Sequence, residues 1–139
     1  MHHKMKLIST HVCKTQNLGF HGNLFGGVML SWLDEAGAAF AAEVTGTPRV
    51  VTVKISEMTF RKPVRPGQII KIYGRVVKFG NTSVTIQLEA RRHSPYNGSQ
   101  KVVCTIDMTF VRIDGDGEPV PINELVKQKF EEGKNEENS

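Results

Sequence analysis

The residue best placed to do chemistry in this sequence is Asp34, a carboxylate in the middle of a long, mostly apolar segment. If that segment is helical, its neighbours at three- and four-residue spacing include Leu30, Ser31 and Ala38, a small and largely apolar stripe. A carboxylate on such a stripe is partly desolvated, and no Lys or Arg lies within residues 24–44 to pair with it. An unpaired acid on an apolar helix face is a candidate functional residue. A structural hydrogen bond to a neighbouring element explains it equally well.

A second feature lies just before this acid, in the run from Gly22 to Gly27. Asn23 stands where the N-cap of the helix is expected, and Gly26 and Gly27 expose the first free N–H groups. Such a terminus can hold an anion, or a carbonyl oxygen that becomes one. A plain N-cap followed by glycines that allow close packing explains the same residues, and taken alone that interpretation is favoured.

The spacing of the two features indicates how they can act together. Asn23 and Asp34 are 11 residues apart, so they share a helix face but lie roughly 16 Å apart along the axis. They cannot contact one substrate atom from the same helix. If two such helices pack antiparallel in a symmetric dimer, Asn23 of one chain approaches Asp34 of the other, and the twofold axis generates two identical sites.

The elements that carry these residues are a long helix and a set of strands. The helix is predicted over residues 24–44 and is stopped by the run from Thr45 to Pro48. A first strand is predicted over residues 5–13, and everything after Pro48 alternates like β-structure joined mostly by hairpins. Val51, Val53 and Ile55 alternate on one parity, and Met58 and Phe60 on the other. This change of parity predicts a β-bulge near Ser56 and Glu57. The inward face of the last strand is predicted to be Val102, Cys104, Ile106, Met108 and Phe110.

This order predicts an α+β fold with an antiparallel sheet. A helix that is apolar nearly all round must be covered nearly all round. We therefore expect a curved antiparallel sheet wrapped about a long central helix, with a second subunit behind it. Residues 1–122 are expected to form one domain, and residues 123–139 a short helical or disordered tail. Asp34 and Glu35 argue against a membrane span in the apolar segment.

Composition restricts the partners of the chain. A net charge of +4 and a pI near 9.2 are compatible with anionic ligands. The basic residues are scattered and not interleaved with aromatic residues, so no nucleic acid is expected. Cys13 and Cys104 have no disulfide or metal spacing, and His11 and His93 have no ligand spacing, so no metal is expected.

The first residues lack the apolar run of a signal peptide, which predicts a cytoplasmic protein.

At this point the motif around the helix start is similar to that of a known family. It resembles the signature of hotdog-fold acyl-CoA hydrolases, in which His-Gly-Asn is followed after two residues by Gly-Gly and then by a helix bearing an acid. The resemblance extends over roughly residues 8–115. The residues that carry it are Asn17 to Ala36, Phe60 to Gly67 and Gly80 to Ser83.

The resemblance implies hydrolysis of fatty or short-chain acyl-CoA thioesters, in a homodimer often assembled into a hexamer as a trimer of dimers. It implies that Asp34 is the general base or nucleophile and that Asn23, from the opposite subunit, orients water or substrate. The N–H of Gly27, with that of Gly26, would polarise the thioester carbonyl, and His21 would shape the substrate site. CoA is part of substrate and product, so no cofactor is expected. Some members have Asp at the position of Asn23.

Other residues are candidates for binding the CoA moiety. Lys62, Arg65, Arg91 and Arg92 carry charges that suit its phosphates, and Gly80, Thr82 and Ser83 resemble the nucleotide contact of the family. Trp32, Phe25 and Phe60 are candidates for setting the depth of the acyl pocket.

Two alternatives remain on the same fold. A dehydratase would use a His with an acid in Pro-rich motifs that this sequence lacks. A non-catalytic acyl-CoA-binding or sensing module would bind the thioester without cleaving it, but such modules usually accompany a regulatory domain for which residues 1–120 leave no room.

Overall fold

The fold consists of one long helix, one antiparallel sheet and a C-terminal helix. A computed structural model describes residues 4–138, with side chains through residue 133. The elements are β1 (Lys6–Val12), a short 3-10 helix (Thr15–Asn17), α1 (Gly26–Thr45), β2 (Val50–Ile55), β3 (Thr59–Phe60), β4 (Ile69–Phe79), β5 (Ser83–His93), β6 (Gln100–Arg112) and α2 (Glu124–Asn138). The predicted α+β class with an antiparallel sheet is confirmed.

The sheet has the strand order β1-β4-β5-β6-β2, and β3 also pairs with β6. Each long pairing contains one register shift, at Ile8, Val53, Val77 and Val103. Such bulges bend strands and increase their twist, so the sheet curves around α1, which contacts β1, β2, β4, β5 and β6. The inward-facing residues of β4, β5 and β6 and one face of α1 form a single core.

The structure corrects the sequence analysis at three places in these strands. The bulge predicted at Ser56 and Glu57 lies at Val53 instead, and residues 56–58 separate β2 from β3. The inward face of β6 contains Val103 rather than Val102, because the bulge at Val103 offsets the alternation there. Thr52, not its apolar neighbours, points inward from β2, since it pairs with the buried Phe110.

The ends of the helices also differ from expectation. Helix α1 begins two residues later than predicted and ends at Thr45, where Gly46 takes the left-handed backbone with a φ of 75°. Helix α2 continues to Asn138, within the segment expected to be a short helical or disordered tail, and Ser139 lies outside the described residues. Cys13 and Cys104 are free and buried, as expected. No helix within residues 4–138 is long and apolar enough to cross a membrane.

Candidate active site

The loop before α1 is held by backbone hydrogen bonds rather than by a side-chain cap. Asn23 was predicted to be the N-cap, but the structure places Phe25 there, with no capping side chain. Leu24 N–H donates to the carbonyl of Val64, and Phe25 N–H donates to that of Asn17. These bonds keep residues 24 and 25 extended, so the first helical turn begins at Gly26. The side chain of Asn23 is thereby left free for another role.

Asp34 lies half-buried on α1, on the side that faces β2. The hydroxyl of Thr52 donates a hydrogen bond of 2.8 Å to its Oδ1 atom. Among the described residues, Oδ2 has no hydrogen-bond partner, which leaves one carboxylate oxygen available to a ligand. Thr52 does not stand out in the sequence, because Val51 and Val53 on either side give the strand its apolar parity. The local signal is a hydroxyl residue between two valines, which does not reveal the face of the sheet that Thr52 occupies.

The N-terminus of α1 presents the free N–H groups that the glycines suggested. Among the described residues, the N–H groups of Gly26 and Gly27 have no acceptor, while those of Val28 and Met29 bond to the carbonyl of Phe25. A Cβ on Gly27 would lie 2.8 Å from the Phe25 ring, so this position needs glycine for the ring to pack there. A Cβ on Gly26 would lie 3.5 Å from the Phe60 ring.

A cavity of about 470 Å³ lies at this helix end. It brings together four residues of the sequence prediction, Asn23, Gly26, Phe60 and Lys62, with the guanidinium-bearing Arg61. Phe25 and Phe60 are 58% and 39% exposed, which is unusual for phenylalanines in a folded chain. The arrangement combines free N–H donors, two cations and an apolar surface.

Other candidate residues lie elsewhere in the chain. Gly80, Thr82 and Ser83 form the β4–β5 turn, closed by a bond from Gly80 N–H to the Ser83 carbonyl and located beside Arg112 at the end of β6. The cavity lies near Val103, to which Arg61 bonds. Nine residues of extended strand separate these two points of β6, so the turn and the cavity are roughly 30 Å apart.

The remaining candidate residues are not in contact with Asp34 either. His21 is exposed in the loop before α1, edge-on to Phe20. Arg65 is exposed in the turn before β4. Arg91 lies on the outer face of the sheet, where its guanidinium lies over the Tyr73 ring. Its N–H groups donate hydrogen bonds to Glu89, Gln100 and the sulfur of Met5.

Trp32 was considered a candidate for the acyl pocket, but it faces the other edge of the sheet. Its ring stacks on His11 of β1, with centroids 4.5 Å apart and planes 12° apart. Burial lowers the pKa of His11, and the nearby Glu35 carboxylate acts in the opposite direction. Within the described part of the chain, no three His, Cys, Asp or Glu side chains lie close enough to bind a metal ion.

The site within one chain therefore consists of two halves. Gly27 and Asp34 are seven residues apart in α1 and share a face of the helix, but they lie roughly 10 Å apart along its axis. One half offers an open carboxylate oxygen, and the other offers N–H donors beside an amide and a cation. A carboxylate can activate water or attack an acyl carbon, and the donors can stabilise an oxyanion, if a second chain brings the halves together.

Comparisons with known proteins identify the family of this chain. The sequence model of the Thioesterase superfamily matches residues 21–99. The acyl-CoA thioester hydrolase YciA of Salmonella typhimurium is 36% identical over 105 residues, covering 73% of this chain and 78% of that protein.

Two solved structures extend the likeness to the fold. A hexameric broad-specificity acyl-coenzyme A thioesterase, crystallised with one aspartate changed to alanine, has a TM-score of 0.83 at 30% identity, covering 93% of this chain and 94% of that one. A hexameric hotdog fold thioesterase of Campylobacter jejuni has a TM-score of 0.78 at 33% identity, covering 88% and 94%. This chain belongs to the thioesterase superfamily and has the hotdog fold.

Proposed function

We propose that this protein hydrolyses acyl-CoA thioesters to free acid and CoA, with Asp34 as the catalytic carboxylate. The observation that carries the proposal is the Asp34 carboxylate itself, which is held through Oδ1 by Thr52 and open at Oδ2. A thioester is activated enough that one carboxylate and an oxyanion site suffice. Two of the relatives named above are an acyl-CoA thioester hydrolase and an acyl-coenzyme A thioesterase, which supports the substrate class.

The site is completed by a second copy of the chain. Strand β2 is an edge strand, and its apolar residues Val51, Val53 and Ile55 are 39%, 56% and 43% exposed. An exposed apolar edge favours pairing with another strand. Two chains joined along β2 would place their α1 helices side by side and antiparallel. The Gly27 terminus of one chain then meets Asp34 of the other. The hexameric relatives support further assembly into a trimer of dimers.

The reaction follows from these halves. The thioester carbonyl oxygen accepts hydrogen bonds from the N–H groups of Gly26 and Gly27, while Asn23 orients water or substrate. Asp34 either removes a proton from water as it attacks the acyl carbon, or attacks that carbon to form an anhydride that water then hydrolyses. In both routes the carbon–sulfur bond breaks, the sulfur leaves as thiolate and takes up a proton, and the acyl group gains an oxygen from water. No cofactor is needed.

The CoA moiety has binding residues in both chains. Lys62 and Arg61 line the cavity beside Gly26 and supply cations for phosphates. The turn that holds Thr82 and Ser83 is far from this cavity within a chain, but antiparallel packing carries it toward the cavity of the second chain. Arg91 is already bonded on the outer face, so we expect it to contribute least among the basic candidates.

The proposal is tested by thiol release from a panel of acyl-CoA thioesters of increasing chain length. We expect Asp34→Ala to lower kcat by about 10²- to 10⁴-fold, because it removes the base or nucleophile. The control is Glu35→Gln, which changes the neighbouring, exposed carboxylate on another helix face and should retain activity. Unchanged hydrolysis in Asp34→Ala would contradict the mechanism. Binding without cleavage by the wild type would favour the acyl-CoA-sensing alternative.

A further inference from the structure

Helix α2 covers the inner face of the sheet beyond the end of α1 but does not seal it. Its Phe130 ring meets Phe79 of β4 edge-on, with centroids 5.4 Å apart and planes at 74°. Two cavities of about 480 Å³ and about 440 Å³ remain beneath the helix. They share Val76, Lys129 and Phe130, so they are adjacent, and the two together are called the trough. Each is within the size range of small-molecule sites.

The walls of the trough are apolar and its first half is cationic at the rim. Phe40, Val76 and Phe130 line the first cavity, together with the basic side chains of Lys4, Lys6 and Lys129. No carboxylate is among the described residues that line it. Glu43 lines the second cavity and is paired with Lys6 at 2.6 Å. The first cavity therefore retains a net positive rim over an aromatic floor.

This trough is separate from the proposed active site. Asp34 faces Thr52 on β2, at one edge of the sheet. Phe40 is six residues further along α1, which is about 240° around the helix, and it packs near Gly74 of β4. Strand β4 lies next to β1 at the opposite edge. Pairing of two chains along β2 leaves the trough uncovered.

We propose that the trough beneath α2 binds an aliphatic carboxylate, a fatty acid of medium chain length. The trough follows β4 from Gly74 to Phe79, a span of roughly 17 Å, which fits an extended chain of about a dozen bonds. The carboxylate lies at the rim of Lys4, Lys6 and Lys129, and the alkyl chain runs past Phe130 toward Phe79. The positive charge at one end of the trough and its apolar walls favour a molecule that has both an anionic group and an alkyl chain.

The experiment is calorimetric titration of the full chain with dodecanoate below its micellar concentration. Lys129→Glu should weaken binding by about tenfold or more, because it reverses a charge at the rim shared by both cavities. Lys78→Glu is the control: it makes the same charge change on an exposed residue of β4 that lines neither cavity.

A second variant tests the shape of the trough without relying on charge. Gly133 lines the first cavity, and a Cβ there would have no atom within 4 Å. Gly133→Leu should therefore fold normally and weaken dodecanoate by occupying the space. Butyrate should bind at least about tenfold more weakly than dodecanoate, since its shorter chain buries less apolar surface against the walls.

Asp34→Ala, which removes the proposed catalytic carboxylate, should bind dodecanoate as the wild type does, because Asp34 does not line the trough. Absence of dodecanoate binding to the wild type would overturn the proposal. So would binding that neither Lys129→Glu nor Gly133→Leu weakens, equal affinity for butyrate, or loss of binding in Asp34→Ala. The site does not depend on the proposed hydrolysis, because a chain that fails to cleave acyl-CoA can still bind dodecanoate here.

Discussion

Thr52 orients the carboxylate on which the proposed chemistry depends. Its hydroxyl is the hydrogen-bond donor to Asp34 Oδ1, which fixes the rotation of the carboxylate and leaves Oδ2 directed elsewhere. A hydrogen bond to a charged group contributes about 1.5–3 kcal/mol. Thr52→Val keeps the shape of the side chain and removes the donor, so we expect kcat for acyl-CoA hydrolysis to fall by about 10- to 100-fold.

The measurement that separates positioning from folding is a comparison of three variants. Thr52→Ser retains the hydroxyl and should therefore keep most of the wild-type kcat. In Thr52→Val, KM should stay within a few-fold of the wild-type value, because Thr52 is expected to act through Asp34. Thr109, on the outer face of β6 and bonded to Thr85, offers the control Thr109→Val. Equal activity in Thr52→Val and Thr52→Ser would show that the hydroxyl has no part in the reaction.

The two residues of this pair differ in how far sequence reveals them. Asp34 stands out because burying an acid within an apolar helix costs free energy unless the acid is paired or hydrogen-bonded. Thr52 does not, because threonine is common in strands and its flanking valines suggest the opposite face. What makes it point inward is the bulge at Val53 and the pairing with Phe110, and both depend on contacts between distant segments.

At the scale of elements, α1 illustrates the difference between local and long-range causes. The helix and its apolar character follow from the sequence, as does its end at Gly46. Its start does not, because the hydrogen bonds from Leu24 to Val64 and from Phe25 to Asn17 override the capping preference of Asn23. The result matters for function: Asn23 lines the cavity beside Gly26 rather than capping the helix.

The packing of α1 on the sheet gives a prediction about stability. A Cβ on Gly37 would lie 3.0 Å from both Leu88 and Phe110 and 3.3 Å from Met108, all fully buried. Overpacking of this kind costs about 1–3 kcal/mol, more than the gain of up to ~1 kcal/mol from replacing a helical glycine. Gly37→Ala should therefore lower the free energy of unfolding.

Gly133 provides the matched substitution in the other helix. A Cβ there meets nothing within 4 Å, so Gly133→Ala should leave stability unchanged or raise it by up to ~1 kcal/mol. Urea unfolding of both variants and the wild type, at one protein concentration, measures the difference. A Gly37→Ala variant that unfolds at a higher urea concentration than the wild type would contradict the tight packing described here.

At the scale of the whole molecule, the sequence predicts the order of elements because hairpin turns and alternating strands are local signals. It also indicates a second subunit, since α1 is too apolar to be covered by one sheet. The described chain retains an exposed apolar edge at β2. Which residues meet across such an interface depends on the placement of two chains, and no pattern within one sequence records it.

The last prediction tests whether the site is shared between chains. Asp34→Ala and Asn23→Ala each remove one half, so each variant alone should be nearly inactive as a homodimer. When the two are co-expressed and pair at random, half of the dimers are mixed. Each mixed dimer has one site with both halves intact and one with neither. Thiol release per chain should then recover to about a quarter of the wild-type value. Separately purified variants, assayed together without subunit exchange, provide the control and should remain inactive. If co-expression restores nothing while mixed dimers are present, each active site lies within one chain, and the separation of Gly27 and Asp34 along α1 must be bridged by another residue.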